Sequence, residues 1–137
     1  MGEARLTHLR FWNMVSEDRA RRIARRIKEE LSTLLLFNVS DPRLAGVYIT
    51  DVRVDREMAF ASIFVSAAEG SERKDEILAG FEKANGYLRR QLSQVIDLRN
   101  FPRLRFNWDP TPEHAERIEE LLDSLDIKKD EDENTDD

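Results

Sequence analysis

Apolar positions recur at helical spacing in the first well-patterned stretch of the chain. Ile23, Ile27, Leu31 and Leu34, with Ala20 and Ala24, fall on one stripe of a 3.6-residue period. Ser16 precedes the stripe as a natural N-cap, and Glu17 and Asp18 favour the positive end of the helix dipole. The pattern predicts a helix to about Phe37. Asn38-Val39-Ser40-Asp41-Pro42-Arg43 then breaks it, because Pro42 biases Asp41 out of the helical region. Val47–Val54 is β-branched and alternating and predicts a strand, followed by a polar turn at residues 55–58. Ala59–Ser66 predicts a second strand, antiparallel to the first. Its Ala59, Ala61, Ile63 and Val65 share one face, with Phe60, Ser62, Phe64 and Ser66 on the other.

After a break at Glu69-Gly70-Ser71, Ser71 is placed to cap a second helix with a core stripe of Ile77, Leu78, Phe81 and Ala84. The pattern is interrupted at Ala84-Asn85-Gly86 and resumes with Leu88, Leu92, Val95 and Ile96. A glycine in a helix costs about 1 kcal/mol relative to alanine. It therefore predicts a kink, a crossing with another helix, or the approach of another backbone. Pro102 ends the connection and Arg103–Trp108 predicts a third strand. Thr111 can cap a last helix, with Pro112 in its first turn and Ile118, Leu121, Leu122 and Leu125 on its apolar edge.

This order, helix–strand–strand–kinked helix–strand plus a C-terminal helix, predicts an α+β fold. The sheet is a mixed three-stranded one with helices on one face and the other open or partly covered. Residues 16–126 form the domain, its last helix beginning at about 112. Residues 1–15 have no clean period and are expected to be a flexible N-terminal extension. Met14 stands just before the helix start, so residues 1–13 read as an upstream extension or an added segment. Residues 127–137 are expected to be an acidic, disordered tail.

Composition narrows the chemistry. The chain of 137 residues has no cysteine, which removes disulfides, thiolate metal sites and thiol nucleophiles and fits a reducing compartment. No apolar run reaches spanning length and no signal-peptide pattern opens the chain, so a cytoplasmic, soluble protein is expected. His8 and His114 lie far apart, the carboxylates fall on helix faces and in the tail, and no phosphate-binding glycine loop occurs. No convergent catalytic, metal or cofactor set is present, and an enzyme is not expected.

The net charge of −6 is unevenly spread. The last ten residues, KKDEDENTDD, are strongly acidic, whereas Glu82–Phe106 holds Lys83, Arg89, Arg90, Arg99, Arg103 and Arg105 against Glu82 and Asp97. Arg22 and Arg25 lie opposite the apolar stripe of the first helix, with Arg26 on its flank. Two readings of these arginines stand side by side. They bind phosphate, or they form ion pairs such as Arg25–Glu29 and Arg26–Glu30, worth about 0.2–0.5 kcal/mol each. Tyr87, Arg90 and Gln94 share a phase off the core stripe, unless a change of phase at Gly86 turns Tyr87 inward. An aromatic beside an arginine suits RNA, the ring stacking a base and the guanidinium taking phosphate. Gly86 would let a phosphate backbone approach with no Cβ in the way. Trp108 fits packing better than base stacking.

Ala84-x-Gly86, Leu88-Arg89, Leu98-Arg99, Pro102, Leu104, Phe106 and Asp109, in this order and spacing, resemble the ribosome-binding factor A family. So do the arginine-rich first helix, Asp41-Pro42-Arg43-Leu44 and the hairpin with Asp55. The similarity spans roughly residues 16–126. It implies a type II KH-like fold with Ala-x-Gly where sequence-reading KH domains carry Gly-x-x-Gly. It further implies binding to the small ribosomal subunit and its RNA, a role in late maturation of that RNA, and importance in the cold. On the motif, Ala84, Asn85 and Gly86 match the family's kink, and Arg43, Arg89 and Arg99 its recurring basic positions. Arg22, Arg25, Arg26, Arg90, Arg103 and Arg105 join the expected RNA-contact set on charge alone. Pro110-Thr111 after Asp109 departs from the family pattern.

The expectation is a monomeric, non-catalytic assembly factor that recognises folded RNA by shape and acts as a rigid wedge. Two alternatives remain. One is a generic KH module for single-stranded RNA; the other is a protein-interaction module acting through the last helix and acidic tail.

Overall fold

The computed structural model describes residues 14–37 and 39–135, with side chains described to residue 126. The elements are α1 (Glu17–Phe37), β1 (Val47–Val54), β2 (Phe60–Ala67), α2 (Lys74–Val95), β3 (Arg103–Trp108) and α3 (Thr111–Thr135), with short 3-10 turns at Pro42–Leu44 and Ser71–Arg73. β1 pairs antiparallel with β2, and β3 joins the other side of β2 in parallel. The parallel pairing follows from the connection, since α2 carries the chain back across the sheet before β3 begins. The α+β architecture with a mixed three-stranded sheet is the one expected from the sequence.

One face of the sheet makes the core. Val52, Ala61, Ile63, Val65 and Leu104 are buried against Ile23, Ile27, Leu31 and Leu34 of α1 and Ile77, Phe81, Leu88 and Leu92 of α2. Phe81 stacks on Phe106 with ring centroids 4.4 Å apart, which ties α2 to β3. Strand alternation and pairing put Tyr48, Arg53, Phe60, Ser62, Phe64, Arg103, Arg105 and Asn107 on the opposite face, which none of the described helices covers. Ser16 caps α1 as expected, its Oγ accepting from the Arg19 N–H at 3.1 Å.

Side chains from α2 close the outer edge of β3. Asn85 Nδ2 donates to the Leu104 carbonyl at 3.1 Å. One turn on, Arg89 donates to the Pro102 and Phe101 carbonyls at 3.2 and 2.6 Å. An edge strand exposes such carbonyls, and here the helix lying beside them supplies the donors.

A bulge at Thr50 knots three elements together. The register slips between Ile49 and Asp51. Lys28 of α1 donates to the freed Thr50 carbonyl at 3.2 Å. The Thr50 hydroxyl donates to Asp109 Oδ2 at 2.6 Å, and Asp109 Oδ1 accepts from the Thr111 N–H at 2.9 Å. Asp109 thus sets the start of α3, where the sequence points to Thr111 as the cap. The Thr50 hydroxyl first, and Thr111 after it, hold the Asp109 carboxyl below its ordinary range.

The structure departs from the sequence-based expectations in further places, beginning with Val95, which is half exposed rather than on the core stripe. α2 runs without a break through Ala84-Asn85-Gly86, although an interruption is expected there. Ser71 does not cap α2; it opens a 3-10 turn, and α2 starts at Lys74. α3 continues as helix to Thr135, through most of the stretch expected to be a disordered tail. Of the expected N-terminal extension, residues 1–13 lie outside the described residues, and Val15 is fixed by backbone pairing to the Arg56 carbonyl at 2.9 Å.

Two measurements check this scaffold. Asn85→Ala and Arg89→Ala should each lower unfolding free energy by about 1 kcal/mol in urea titrations, because each leaves edge carbonyls without a donor. A depressed carboxyl pKa contributes stability above the unfolded value near 3.8, and that contribution fades as pH falls through the folded pKa. Asp109→Asn should therefore be less stable than the parent at pH 7, and the gap should shrink as the medium is acidified below pH 4.

Candidate nucleic-acid interface

The expected RNA-contact residues do not form one patch. Asn85 is committed to the Leu104 carbonyl of β3, and Arg89 to the Pro102 and Phe101 carbonyls that lead into the strand. Arg43 is committed as well: its guanidinium and its backbone N–H bind Asp41, the ion pair measuring 2.9 Å. These bonds hold the Asp41 carboxyl below its usual range and raise Arg43. Arg26 pairs with Glu30 at 3.4 Å and reaches the Val95 carbonyl of α2, so it joins the two helices. Ion pairing therefore accounts for Arg26 but not for Arg25, which makes no ion pair among the described residues.

What remains free divides between two sides of the domain. On the helical layer, Arg22 and Arg25 of α1 and Arg90 of α2 are exposed and form no ion pair among the described residues. Tyr87 lies beside Arg90 and is 42% exposed, so the phase of α2 turns it outward rather than into the core. On the sheet's uncovered face lie Arg103 and Arg105. Arg99 stands apart from both groups, lining a cleft of about 640 Å³ with Arg19, Asn100 and Glu57.

Gly86 sits on the helical side and has no packing role among the described residues. A Cβ built on it meets no atom within 4 Å, and its φ is not in the left-handed region. The expected alternative, a helix crossing at Gly86, is excluded by that space. The glycine that does permit close packing is Gly80, where an added Cβ would lie 3.1 Å from Leu44 Cδ2 and 3.5 Å from Arg43 Cβ. Ala84 is half-buried and packs against the core.

Sequence reasoning missed Arg53. It stands on the uncovered sheet face, paired with Asp51 at 3.1 Å, its guanidinium carbon 5.4 Å from the Phe64 ring centroid. The guanidinium carbon of Arg105 lies 3.4 Å from the Phe60 centroid. The signal was present in the alternation, which puts Phe60, Phe64 and the flanking arginines on one face. Trp108 is half-buried and packs on the core, as its reading as a packing residue requires. His8 lies outside the described residues, and His114 is exposed at the start of α3. Among the described residues no three His, Cys, Asp or Glu side chains are grouped to hold a metal, and no helix is long and apolar enough to cross a membrane.

Comparison with known proteins bears on this arrangement. The family model described as Ribosome-binding factor A matches residues 19–122. A curated relative of that name from Aromatoleum aromaticum is 35% identical over 107 residues, covering 78% of this chain and 84% of the relative. The crystal structure of ribosome-binding factor A from Thermus thermophilus is similar in fold, with a TM-score of 0.58 and 23% identity, over 64% of this chain and 93% of that one. A homology model of the Thermus thermophilus factor, fitted into a cryo-EM map of its complex with the 30S subunit, is similar with a TM-score of 0.50. It is 26% identical, over 60% of this chain and 86% of that one. The family match over most of the fold, together with the shared helix and sheet order, establishes that this chain belongs to the ribosome-binding factor A family.

Proposed function

We propose that this chain is a non-catalytic assembly factor that binds the small ribosomal subunit through its RNA and assists late maturation of that RNA. Family membership and the relative fitted into a 30S complex support the choice of partner. The observation that carries the RNA-facing reading is Gly86. A mid-helix glycine lowers stability by about 1 kcal/mol. Among the described residues nothing packs against this one. Exposed Tyr87 and Arg90 adjoin it, and Arg22 and Arg25 lie on the neighbouring helix, all three arginines without an ion pair among the described residues. A bare helix surface beside guanidinium groups is what a sugar–phosphate backbone needs to approach closely.

The factor works by occupancy and shape. It acts as a monomer in the cytoplasm, and as a rigid domain seated on RNA it keeps immature segments from settling in wrong positions until it leaves. The need for it is greatest in the cold, where misfolded RNA rearranges most slowly.

Gly86→Ala separates fold from function. It should raise stability by about 1 kcal/mol, a Tm gain of about 4 °C. It should also weaken co-sedimentation with purified small subunits, because the new methyl stands where the RNA backbone lies. A stabilised variant that still pellets fully would sink this reading. Subunit binding should fall steeply with salt, and Arg90→Ala should lower the slope of log K against log salt by about 1 while leaving urea stability unchanged. A short unstructured RNA should bind more weakly than the intact subunit; equal affinity would favour the generic single-strand binder.

A further inference from the structure

We propose that the uncovered face of the sheet is a second RNA-contact surface, one that stacks an unpaired strand on its arginine–phenylalanine pairs. The proposal rests on the reading that this chain binds ribosomal RNA. It assigns a separate surface to a chemically distinct part of that RNA.

The face is built for stacking. β2 carries Phe60 and Phe64 on it, about 13 Å apart along the strand. The flanking strands each lay an arginine over one ring: Arg105 of β3 with its guanidinium carbon 3.4 Å from the Phe60 centroid, and Arg53 of β1 at 5.4 Å from Phe64. A guanidinium resting on a ring offers a second planar surface outward, on which a base can stack while the N–H groups reach phosphate. Arg53 is 76% exposed at its side chain, so its outer surface is free to be covered.

Charge selects the occupant. Arg53, Arg103 and Arg105 share the face with Asp51, which already pairs with Arg53, and with Asp109 at its end, whose carboxylate is held by the Thr50 hydroxyl and the Thr111 N–H. An apolar protein surface would have to desolvate three guanidinium groups without replacing their hydrogen bonds. A polyanion whose bases are accessible satisfies both the charge and the planes. In a duplex the base faces are already stacked on one another, so the occupant is unpaired. Because this face lies opposite the helical layer that carries Gly86, the domain stands between two RNA segments. It would hold a single strand away from the RNA seated on the helices.

The test uses the full chain, a fluorescein-labelled unpaired RNA oligonucleotide and a duplex of the same length, followed by anisotropy at low salt. The unpaired probe should bind the parent protein, and Arg53→Ala/Arg105→Ala should weaken it at least about tenfold, about 1.4 kcal/mol. Arg53→Lys/Arg105→Lys keeps the charge and loses the plane. It should restore duplex affinity but leave most of the loss for the unpaired probe. With 2-aminopurine in the unpaired probe, the parent should quench its fluorescence and the lysine variant should not. Full recovery of unpaired-strand binding with lysine would reduce the face to plain electrostatics and overturn the proposal, as would failure of the parent to bind the probe. In either case subunit pelleting and its response to Gly86→Ala would still decide the proposed function independently.

Discussion

The outer edge of β3 is the point on which the molecule depends. A parallel strand reached through a long helix has no hairpin to hold it, so its register must be fixed by contacts formed only after the chain has crossed the sheet. Inside, Leu104 and the Phe81–Phe106 stack anchor it. Outside, Asn85 fastens its Leu104 carbonyl to α2, and Arg89 fastens the carbonyls of Phe101 and Pro102 just before it. The two side chains stand one helical turn apart, so a single face of α2 runs along the strand edge. That same geometry fixes which side of α2 is left over, and the leftover side carries Gly86, Tyr87 and Arg90. Fold and candidate interface are thus two faces of one helix.

Much of this was legible in the sequence because it depends on local period. The apolar stripes of α1 and α2 and the alternation of β1 and β2 gave the elements and the buried face directly. Three things were not legible. The bulge at Thr50 is hidden, since VYITDVRV alternates acceptably in either register; its reason lies in Lys28 and Asp109, which are distant in sequence. Asn85 and Arg89 read as exposed polar positions because their partners arrive only with β3. Of the two helical glycines, only Gly86 stands out in the sequence pattern, yet Gly80 is the one that packs closely and Gly86 the one left open among the described residues. Which glycine has a neighbour depends on the 3-10 turn at Pro42–Leu44, distant in sequence. The helix that continues to Thr135 runs against the acidic composition of its last residues, and nothing in the structure explains its persistence there.

The charge pattern was the least faithful guide. A run of arginines in sequence suggested one basic surface, yet strand alternation sends Arg103 and Arg105 to the side of the sheet opposite α2. Hydrogen bonding removes Asn85, Arg89 and Arg43 from the free set and ties Arg26 between the helices. The arginines left uncommitted are fewer, but each stands beside something that suits RNA: a bare glycine and a tyrosine on one side, phenylalanine rings on the other. A domain with RNA-compatible surfaces on two opposed sides, and with α2 unbroken through Gly86, suits a spacer better than a reader of base sequence.

The central claim is that Gly86 lies bare so that an RNA backbone can approach it. A structure of the protein bound to the small subunit tests this most directly. The account predicts a ribose–phosphate segment in van der Waals contact with Gly86, within about 4 Å, with Arg90 and an α1 arginine on the adjoining phosphates. A complex in which Gly86 faces solvent or packs against protein would contradict it.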